Sequence, residues 1–448
     1  MPVAKGGLED VVAGQSEICF IDGKEGRLLY RGYDIVDLAE HATFEEVAYL
    51  LWYGHLPNRS ELDRITSDLA RNRTVPAEVL ELIRRAPRTA HAMAVLRTAV
   101  SQLGVLDPEA DDDSREANLR KAVRLVAQTG TLVAAIGRVR QGGEPIAPDP
   151  SLGLAADFLR MLTGRAPSPQ DARIFDVCLI LHADHELNAS TFAARVTCAT
   201  LADIYSAVTS AIGALKGPLH GGANENVMKM LHEIGSLDRV EPWVEEALAK
   251  KVKVPGFGHR VYKTEDPRAT ILRRYSKELG ERRGETKWYA MLVRLQDLMR
   301  EKKGLYPNVD LYSGSVYDAL GIPMEIYTPI FAFSRMSGWT AHVLEQYADN
   351  RIIRPRAEYV GPVHGEDVPA PEGLGRVDVG AAHEERPHLA LLRHARPPRG
   401  SMPAARAALA PAVQWVPAGV AGPPILFPGG PGRGRSVQPS LGRAAHPL

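Results

Sequence analysis

Apolar residues that recur every three or four positions constrain the fold of this chain more than any other sequence feature. One such stripe consists of Ile174, Val177, Ile180 and Leu181. Others run through residues 120–140, 191–215 and 285–300. This period is that of an α-helix with one buried face, and neither alternating strands and helices nor a fixed repeat accompanies it. The sequence therefore predicts a mainly α fold.

A small β element is predicted before the helices. Residues 17–21 and 27–30 have strand character, and the Gly-containing segment between them predicts a turn. Thr43 is followed three residues later by Glu46, which is the pattern of a capping box. We therefore expect a helix to begin there and to end near Gly54.

Charge and cysteine content restrict the partners and the compartment. The chain of 448 residues has 54 basic and 54 acidic residues, so nothing global favours nucleic acid or an anionic membrane surface. No apolar run approaches the ~18 residues that span a bilayer, and the N-terminus lacks the apolar core of a secretory signal. Three widely spaced cysteines, Cys19, Cys178 and Cys198, fit a reducing compartment. We expect a cytoplasmic protein without nucleic-acid or membrane partners.

The composition changes abruptly after about residue 361. The last 88 residues hold 15 of the 33 prolines and contain no Lys, Tyr or Asn. A segment dominated by Pro, Gly, Ala and Arg buries too little apolar surface to offset its ordering entropy. We therefore expect residues 363–448 to form a disordered tail. A shifted reading frame near the end of the gene is an alternative origin for it.

Four polar segments interrupt the helical pattern, and the first contains His182, His185 and Glu186. Histidines three residues apart on a helix could bind a metal ion, as in a metal-dependent hydrolase. The spacing is not that of His-Glu-x-x-His, however, and no cysteine lies nearby. A solvated helix end and an anion-binding histidine are the other interpretations.

The second segment, residues 215–226, places His220 between a proline and a pair of glycines that break the helix. The positive end of the dipole of the next helix disfavours a charged histidine. A neutral imidazole can donate a hydrogen bond to a developing enolate oxygen. A loop histidine without a chemical role is the alternative.

The third segment combines two glycines with a histidine and an arginine. Gly256 and Gly258 permit a close approach of the backbone to a ligand, and His259 follows them. Arg268 presents a guanidinium group, which binds a carboxylate through two parallel hydrogen bonds. Neighbouring lysines predict either a solvated basic face or a site for the phosphates of a nucleotide-like carrier. These are Lys250, Lys251, Lys253 and Lys263.

The fourth segment, residues 307–314, places Asp310 between apolar neighbours. Burial would raise the pKa of this carboxyl group and make it a general base, whereas an aspartate in a turn is the alternative. Downstream, the Thr-Pro pair at Thr328 predicts a helix start. Arg335 on that helix needs a partner if it is buried. Arg354 lies just before the change in composition.

Together, these motifs resemble the citrate synthase family, in its short bacterial form, over roughly residues 8–362. The most specific is G-F-G-H-R-V-Y-K-T-E-D-P-R at residues 256–268. The runs H-A-D-H-E, L-H-G-G-A-N and N-V-D-L-Y-S-G occur in the family order. The resemblance implies a citrate synthase-like two-domain helical fold. Its large domain would comprise residues 1–220 and 319–362, and its small domain residues 221–318.

The resemblance also implies a role for each candidate residue. Asp310 would remove a proton from the methyl group of acetyl-CoA, His220 would stabilise the enol, and His259 would protonate the ketone of oxaloacetate. The carboxylates of oxaloacetate would be bound by His185, Arg268, Arg335 and Arg354. The CoA site would include Pro255, Gly256, Phe257, Gly258 and Lys263.

The enzyme implied by the resemblance uses acetyl-CoA as a substrate and needs no metal or other cofactor. It is a homodimer in which Arg354 serves the active site of the partner subunit. The same residues would serve a 2-methylcitrate synthase, which uses propionyl-CoA instead. One methylene in an apolar pocket changes discrimination by only ~1–3 kcal/mol, and no motif in the sequence decides between the two acyl groups.

Overall fold

The computed structural model describes residues 11–357, which form a three-stranded sheet followed by sixteen α-helices. The first eight helices are α1 (Ile35–His41), α2 (Phe44–Tyr53), α3 (Arg59–Arg71), α4 (Ala77–Arg85), α5 (Ala92–Leu106), α6 (Arg115–Arg140), α7 (Leu154–Thr163) and α8 (Pro169–His182). The others are α9 (Ala189–Cys198), α10 (Ile204–Leu215), α11 (Ala223–Ile234), α12 (Val240–Ala249), α13 (Pro267–Arg283), α14 (Lys287–Lys303), α15 (Val309–Ala319) and α16 (Tyr327–Ala348). The mainly α prediction is confirmed. The tail predicted over residues 363–448 lies outside the described residues.

The N-terminal sheet is antiparallel, in the order β1 (Cys19–Asp22), β2 (Arg27–Tyr30) and β3 (Tyr33–Asp34). Strand β1 pairs with β2 so that Cys19 lies opposite Tyr30. The predicted β element is therefore confirmed, although β1 begins two residues later than expected. Strand β3 has only two residues, too few to show the alternation that predicts a strand.

Local sequence signals place the ends of α2. The backbone N–H of Glu46 donates to Thr43 Oγ1, and the backbone N–H of Thr43 donates to Glu46 Oε2 at 2.7 Å. This is the predicted capping box. Gly54 ends the helix with a φ of 86°, a left-handed conformation that glycine adopts without strain.

Two helix predictions are wrong in their boundaries. Helix α16 begins at Tyr327, because a short 3₁₀ turn leads directly into it, and Thr328 lies inside its first turn. The Thr328 hydroxyl donates instead to Gly221 O at 3.2 Å. The stripe predicted over residues 191–215 is two helices, α9 and α10, separated by a short connection at residues 199–203.

Helix α16 is the central helix of the described residues. It has 22 residues and is buried on nearly every side. Helices α2, α6, α9 and α10 pack around it. The ring of Phe333 on α16 lies 5.9 Å from that of Phe44 and 5.7 Å from that of Phe158, between centroids. Because α16 is buried on nearly every side, its polar side chains are also enclosed in the core and are held by close packing.

Within residues 11–357, none of the helices is both long enough and apolar enough to cross a membrane. The division into a large and a small domain stays a prediction. Its expected boundaries after residues 220 and 318 lie beside the beginning of α11 and the end of α15.

Candidate active site

His185 lies in a non-helical segment that follows α8. The helix ends at His182, whose Nδ1 donates a hydrogen bond to Cys178 O at 2.8 Å. Glu186 has a φ of 56°, so the chain turns sharply after His185. The two histidines therefore do not share a helical face. Among residues 11–357, no group of three or more His, Cys, Asp or Glu residues could hold a metal ion.

His220 lies in the loop between α10 and α11, and its hydrogen bonds fix its tautomer. The backbone N–H of Ser190 donates to His220 Nε2 at 3.2 Å, and Ser190 Oγ lies 2.8 Å from the same atom. Because an amide N–H only donates, the neutral ring carries its proton on Nδ1. Burial and the charge of Arg335 lower the pKa of His220 to about 4. The pKa is lowered, as the sequence predicts, but the cause is burial and the charge of Arg335 rather than the helix dipole.

The glycine-containing loop of the third segment pairs with the fourth segment. The backbone N–H of Gly258 donates to Tyr306 O, and that of Asn308 donates to Gly256 O, both at 3.0 Å. Gly256 has a φ of 84°, and a Cβ atom there would lie 2.7 Å from Leu311 Cδ1. Glycine at this position therefore permits two polar segments that are distant in sequence to meet.

His259 carries the tautomer opposite to that of His220. The backbone N–H groups of Val261 and Tyr262 donate to His259 Nδ1 at 3.1 and 3.3 Å. The proton of the neutral ring therefore lies on Nε2. Burial and the charge of Arg268 lower the pKa of His259 to about 4. His259 can thus donate one hydrogen bond through Nε2 while it stays neutral.

His185, His259 and Tyr262 form an aromatic cluster that joins the first segment to the third. The ring centroids of His185 and His259 are 5.0 Å apart, and those of His259 and Tyr262 are 4.8 Å apart. The hydroxyl of Tyr262 lies 3.3 Å from His185 Nε2. Burial, followed by the charges of Arg268 and His259, lowers the pKa of His185 well below its usual value.

Two buried arginines supply positive charge beside this cluster. Arg268 Nε and Nη2 donate to the two carboxylate oxygens of Asp266 at 3.0 and 2.7 Å. Burial alone would lower the pKa of Arg268, but Asp266 more than offsets this effect and raises it. Arg335 Nε donates to His182 O at 2.7 Å, and its guanidinium lies 4.7 Å from the ring centre of Phe331. The expected partner of Arg335 is thus a carbonyl group with an aromatic face.

Asp310 lies half-buried in the first turn of α15, where its N–H donates to Asn308 Oδ1 at 3.0 Å. Burial raises the pKa of Asp310 to about 7, against the opposing charges of Arg268 and Arg335. One or both of these charges also act on each of the three candidate histidines. The carboxyl group and the histidines therefore occupy one electrostatic neighbourhood.

The remaining candidates differ in their exposure. Arg354 is exposed in the segment after α16, unlike Arg268 and Arg335. Lys263 is also exposed, and its Nζ donates to Arg260 O at 3.2 Å. In the glycine-containing loop, Phe257 is buried and Pro255 is half-buried.

Sequence reasoning missed several residues that hold the candidates in place. Asp266 had a usable signal, because an aspartate before a proline is a common helix N-cap, and here it caps α13 and also holds Arg268. No local signal points to Ser190, which is 30 residues from His220. The other missed residues are Asp184, Tyr262 and His342.

The site of this mainly helical protein combines neutral histidines, buried arginines and a carboxyl group of raised pKa. Such a combination is typical of an enzyme that uses acid–base catalysis on an anionic substrate. Comparisons with known proteins identify which one. The family model described as "Citrate synthase, C-terminal domain" matches residues 7–356. The chain belongs to the citrate synthase family.

Individual relatives agree with this assignment. "Citrate synthase 2" of Bacillus subtilis is 55% identical over 82% of this chain and 98% of its own length. "2-methylcitrate synthase 1" of Corynebacterium glutamicum is 42% identical over 82% of this chain and 97% of its own. A solved ternary complex of carboxymethyl coenzyme A and oxaloacetate with the citrate synthase of Thermoplasma acidophilum is 35% identical, with a TM-score of 0.78. The match covers 85% of this chain and 99% of that one.

Proposed function

We propose that this protein condenses acetyl-CoA with oxaloacetate and water to give citrate and CoA. One observation carries the proposal: two neutral histidines in opposite tautomers accompany a carboxyl group whose pKa is raised to about 7. Such a set can remove a proton at one carbon and donate hydrogen bonds to two different oxygens. The Thermoplasma acidophilum complex supports the choice of substrates.

Asp310 is the base of the first step. Its carboxylate takes a proton from the methyl group of acetyl-CoA, and the electron pair of that C–H bond moves towards the thioester oxygen. A base is most effective when its pKa lies near the working pH, and burial brings that of Asp310 to about 7. At neutral pH a large fraction of the group is therefore ionised and basic.

His220 stabilises the enol that results. Its Nε2 is occupied by Ser190, so Nδ1–H is the group that remains to donate to the enol oxygen. The pKa of about 4 keeps the ring neutral. A neutral donor stabilises developing negative charge without the need to stabilise a buried cation.

His259 acts on the second substrate. Its Nε2–H donates to the ketone oxygen of oxaloacetate and polarises the carbonyl bond. The enol carbon then forms a bond to the ketone carbon while the thioester C=O bond re-forms, and the ketone oxygen takes the Nε2 proton. Solvent returns a proton to His259 and accepts the proton that Asp310 took from the methyl group. Water finally hydrolyses the thioester and releases CoA.

Buried basic side chains bind the carboxylates of oxaloacetate in this proposal. His185 follows α8, whereas Arg268 lies on α13 and Arg335 on α16. Asp266 holds two N–H groups of Arg268 and so fixes the direction of the others. A fixed guanidinium loses less conformational entropy when a carboxylate binds.

The backbone of Pro255, Gly256, Phe257 and Gly258, together with Lys263, forms part of the CoA site in this proposal. The pairing of Gly256 and Gly258 with Tyr306 and Asn308 supports it, because it holds the loop beside the helix of Asp310. The reaction uses no metal or other cofactor.

The proposed enzyme is a cytoplasmic homodimer in which Arg354 completes the site of the partner subunit. The exposure of Arg354 supports this arrangement, because a carboxylate-binding arginine within its own site would be expected to lie among the buried cations. Three buried free cysteines fit a reducing compartment.

The second candidate is 2-methylcitrate synthase, which the relative from Corynebacterium glutamicum favours. The release of CoA from acetyl-CoA and from propionyl-CoA, each with oxaloacetate, separates the two functions. We expect kcat/KM for acetyl-CoA to be higher by about tenfold or more. A higher value for propionyl-CoA would establish the second candidate instead. Release of CoA without oxaloacetate would contradict both.

A further inference from the structure

One face of α16 supports the segment that carries His185. Arg335, Gly338 and His342 follow one another at helical spacing along this face. Arg335 Nε donates to His182 O at 2.7 Å. The hydrogen bond from His342 Nε2 to Asp184 Oδ2 is 3.3 Å long, Asp184 Oδ1 lies 3.2 Å from the same nitrogen, and both side chains are completely buried. The helix thus contacts the segment both before and at Asp184, the residue that precedes His185.

Gly338 allows the close approach between these two contacts. A Cβ atom at this position would lie 2.3 Å from Ala183 O and 2.5 Å from Asp184 Oδ1. Both distances are shorter than any real contact of a Cβ atom. The segment can therefore rest directly on the backbone of α16, where little free space remains for it to move.

The hydrogen bond between His342 and Asp184 has a defined direction. Arg195 Nη1 lies 3.0 Å from His342 Nδ1, and an arginine only donates, so Nδ1 accepts. The proton of the neutral ring then lies on Nε2, from which it is donated to Asp184 Oδ2. Arg195 is itself fixed by Glu345 Oε2 at 2.6 Å and by Gln346 Oε1 at 3.0 Å.

The Asp184 side chain in turn fixes the backbone that follows it, and Tyr30 fixes the backbone of Asp184 itself. The N–H of Glu186 donates to Asp184 Oδ2 at 3.2 Å, across His185. The hydroxyl of Tyr30 donates to Asp184 O at 2.9 Å, and lies 3.2 Å from Asp184 N. Burial alone would raise the pKa of Asp184, but His342 and Arg335 reverse this effect and lower it, so the carboxylate stays an acceptor.

The segment needs this support because its backbone is strained. Glu186 has a φ of 56°, which residues other than glycine seldom adopt. Such a conformation persists only where the surrounding structure holds it. The Asp184 carboxylate holds the N–H of Glu186, and His342 holds the carboxylate.

We propose that His342 and Asp184, supported by Arg195 and Gly338, are positioning residues that set the direction of His185 for the binding of oxaloacetate. This inference rests on the proposed function, because it assigns oxaloacetate to His185. His342 does not touch the substrate in this arrangement. Its loss should therefore weaken the binding of oxaloacetate selectively and leave the CoA site unaffected.

His342→Leu is the direct test, with KM measured for each substrate while the other is saturating. A displacement of about 1 Å at a binding group can lower activity by about a hundredfold, so we expect KM for oxaloacetate to rise about ten- to a hundredfold. KM for acetyl-CoA should change less than about threefold. His342→Gln keeps an N–H donor near the position of Nε2 and should recover most of the loss.

Thr340→Val is the matched control. Thr340 is buried on the same helix and accepts a hydrogen bond from Trp52 Nε1 at 2.8 Å, so this change also removes a buried hydrogen bond. It should lower the melting temperature and leave both KM values unchanged. Gly338→Ala is a second variant. Alanine is a better helix former than glycine, so the helix is not weakened, and KM for oxaloacetate should also rise because the new Cβ displaces Asp184.

Calorimetric titration of oxaloacetate separates a failure of this inference from a failure of the proposed function. Wild-type protein that binds no oxaloacetate would contradict the proposed function and, with it, the assignment of His185. If the wild-type protein binds oxaloacetate, and His342→Leu and Gly338→Ala both bind it equally well, only the positioning role is overturned. Equal shifts of both KM values in either variant, or the same shift in Thr340→Val, would reduce His342 to a stabilising residue and would also overturn it. If His342→Leu does not fold, the Gly338→Ala result decides.

Discussion

Replacement of Asp310 by Asn should make the protein more stable and almost inactive. Burial raises the pKa of Asp310 to about 7, whereas a carboxyl group in an unfolded chain titrates near ~3.9. Above pH 7 the folded protein must hold an ionised group that is better solvated when the chain is unfolded. Asn has nearly the same shape and carries no charge, so it avoids this penalty.

The difference of about 3 pKa units corresponds to at most about 4 kcal/mol of unfolding free energy at pH 8. The sign follows from linkage. A group whose pKa is raised in the folded state contributes stability that is full below its unfolded pKa and is lost as the pH rises through its folded pKa. At pH 5 the folded group is protonated, and the gain from Asn should fall to about 1.5 kcal/mol.

Loss of the base should lower kcat by about 10²–10⁴-fold, because a positioned general base contributes about that much. Denaturant unfolding at pH 8 and pH 5 measures the stability, and thiol release measures the activity. Asp318→Asn is the control, since Asp318 lies at the other end of α15 and should keep full activity. If kcat of Asp310→Asn is within tenfold of the wild-type value, Asp310 is not the base. If the variant is less stable than wild type at pH 8, burial does not raise the pKa of Asp310 as described.

Three further predictions concern the same site. The value of kcat/KM for acetyl-CoA should fall as the pH drops below about 7, because Asp310 is then protonated; a flat profile from pH 6 to 8 would contradict the assignment of the base. Gly256→Ala should raise KM for acetyl-CoA and lower the melting temperature, because its Cβ would lie 2.7 Å from Leu311 Cδ1 at a φ of 84°; unchanged values of both would be the contrary result. An equimolar mixture of the Arg354→Ala and Asp310→Asn proteins, allowed to exchange subunits, should recover about a quarter of wild-type activity. Half of the random dimers then contain both variants, and one of the two sites in each of these is complete. No recovery would assign Arg354 to its own subunit.

The features that could be predicted from the sequence are those that depend on residues close together along the chain. The capping box at Thr43 and the end of α2 at Gly54 are formed within one or two turns, so their pattern is complete in the sequence. Thr328 shows the limit of such signals. Its hydroxyl could cap a helix, but tertiary packing gives it Gly221 O as a partner, and α16 begins earlier.

The motifs supplied the chemically active residues but not the contacts that determine how they act. The tautomer of His220 depends on Ser190, and that of His259 depends on two backbone N–H groups in the loop that follows it. Asp184 meets His342 across 158 residues. Such contacts are created by the packing of distant helices, which has no counterpart in local periodicity. The raised pKa of Asp310 has the same origin, because burial is a property of the folded chain.

The fate of a labelled methyl carbon distinguishes condensation from simple hydrolysis of the thioester. Acetyl-CoA labelled with ¹³C in its methyl group, oxaloacetate and purified protein can be followed by NMR while thiol release is recorded. We expect the label to appear in a methylene group of citrate, with one CoA released for each citrate formed. Label that appears in free acetate, or CoA release that does not depend on oxaloacetate, would show hydrolysis without condensation and would contradict the proposed reaction.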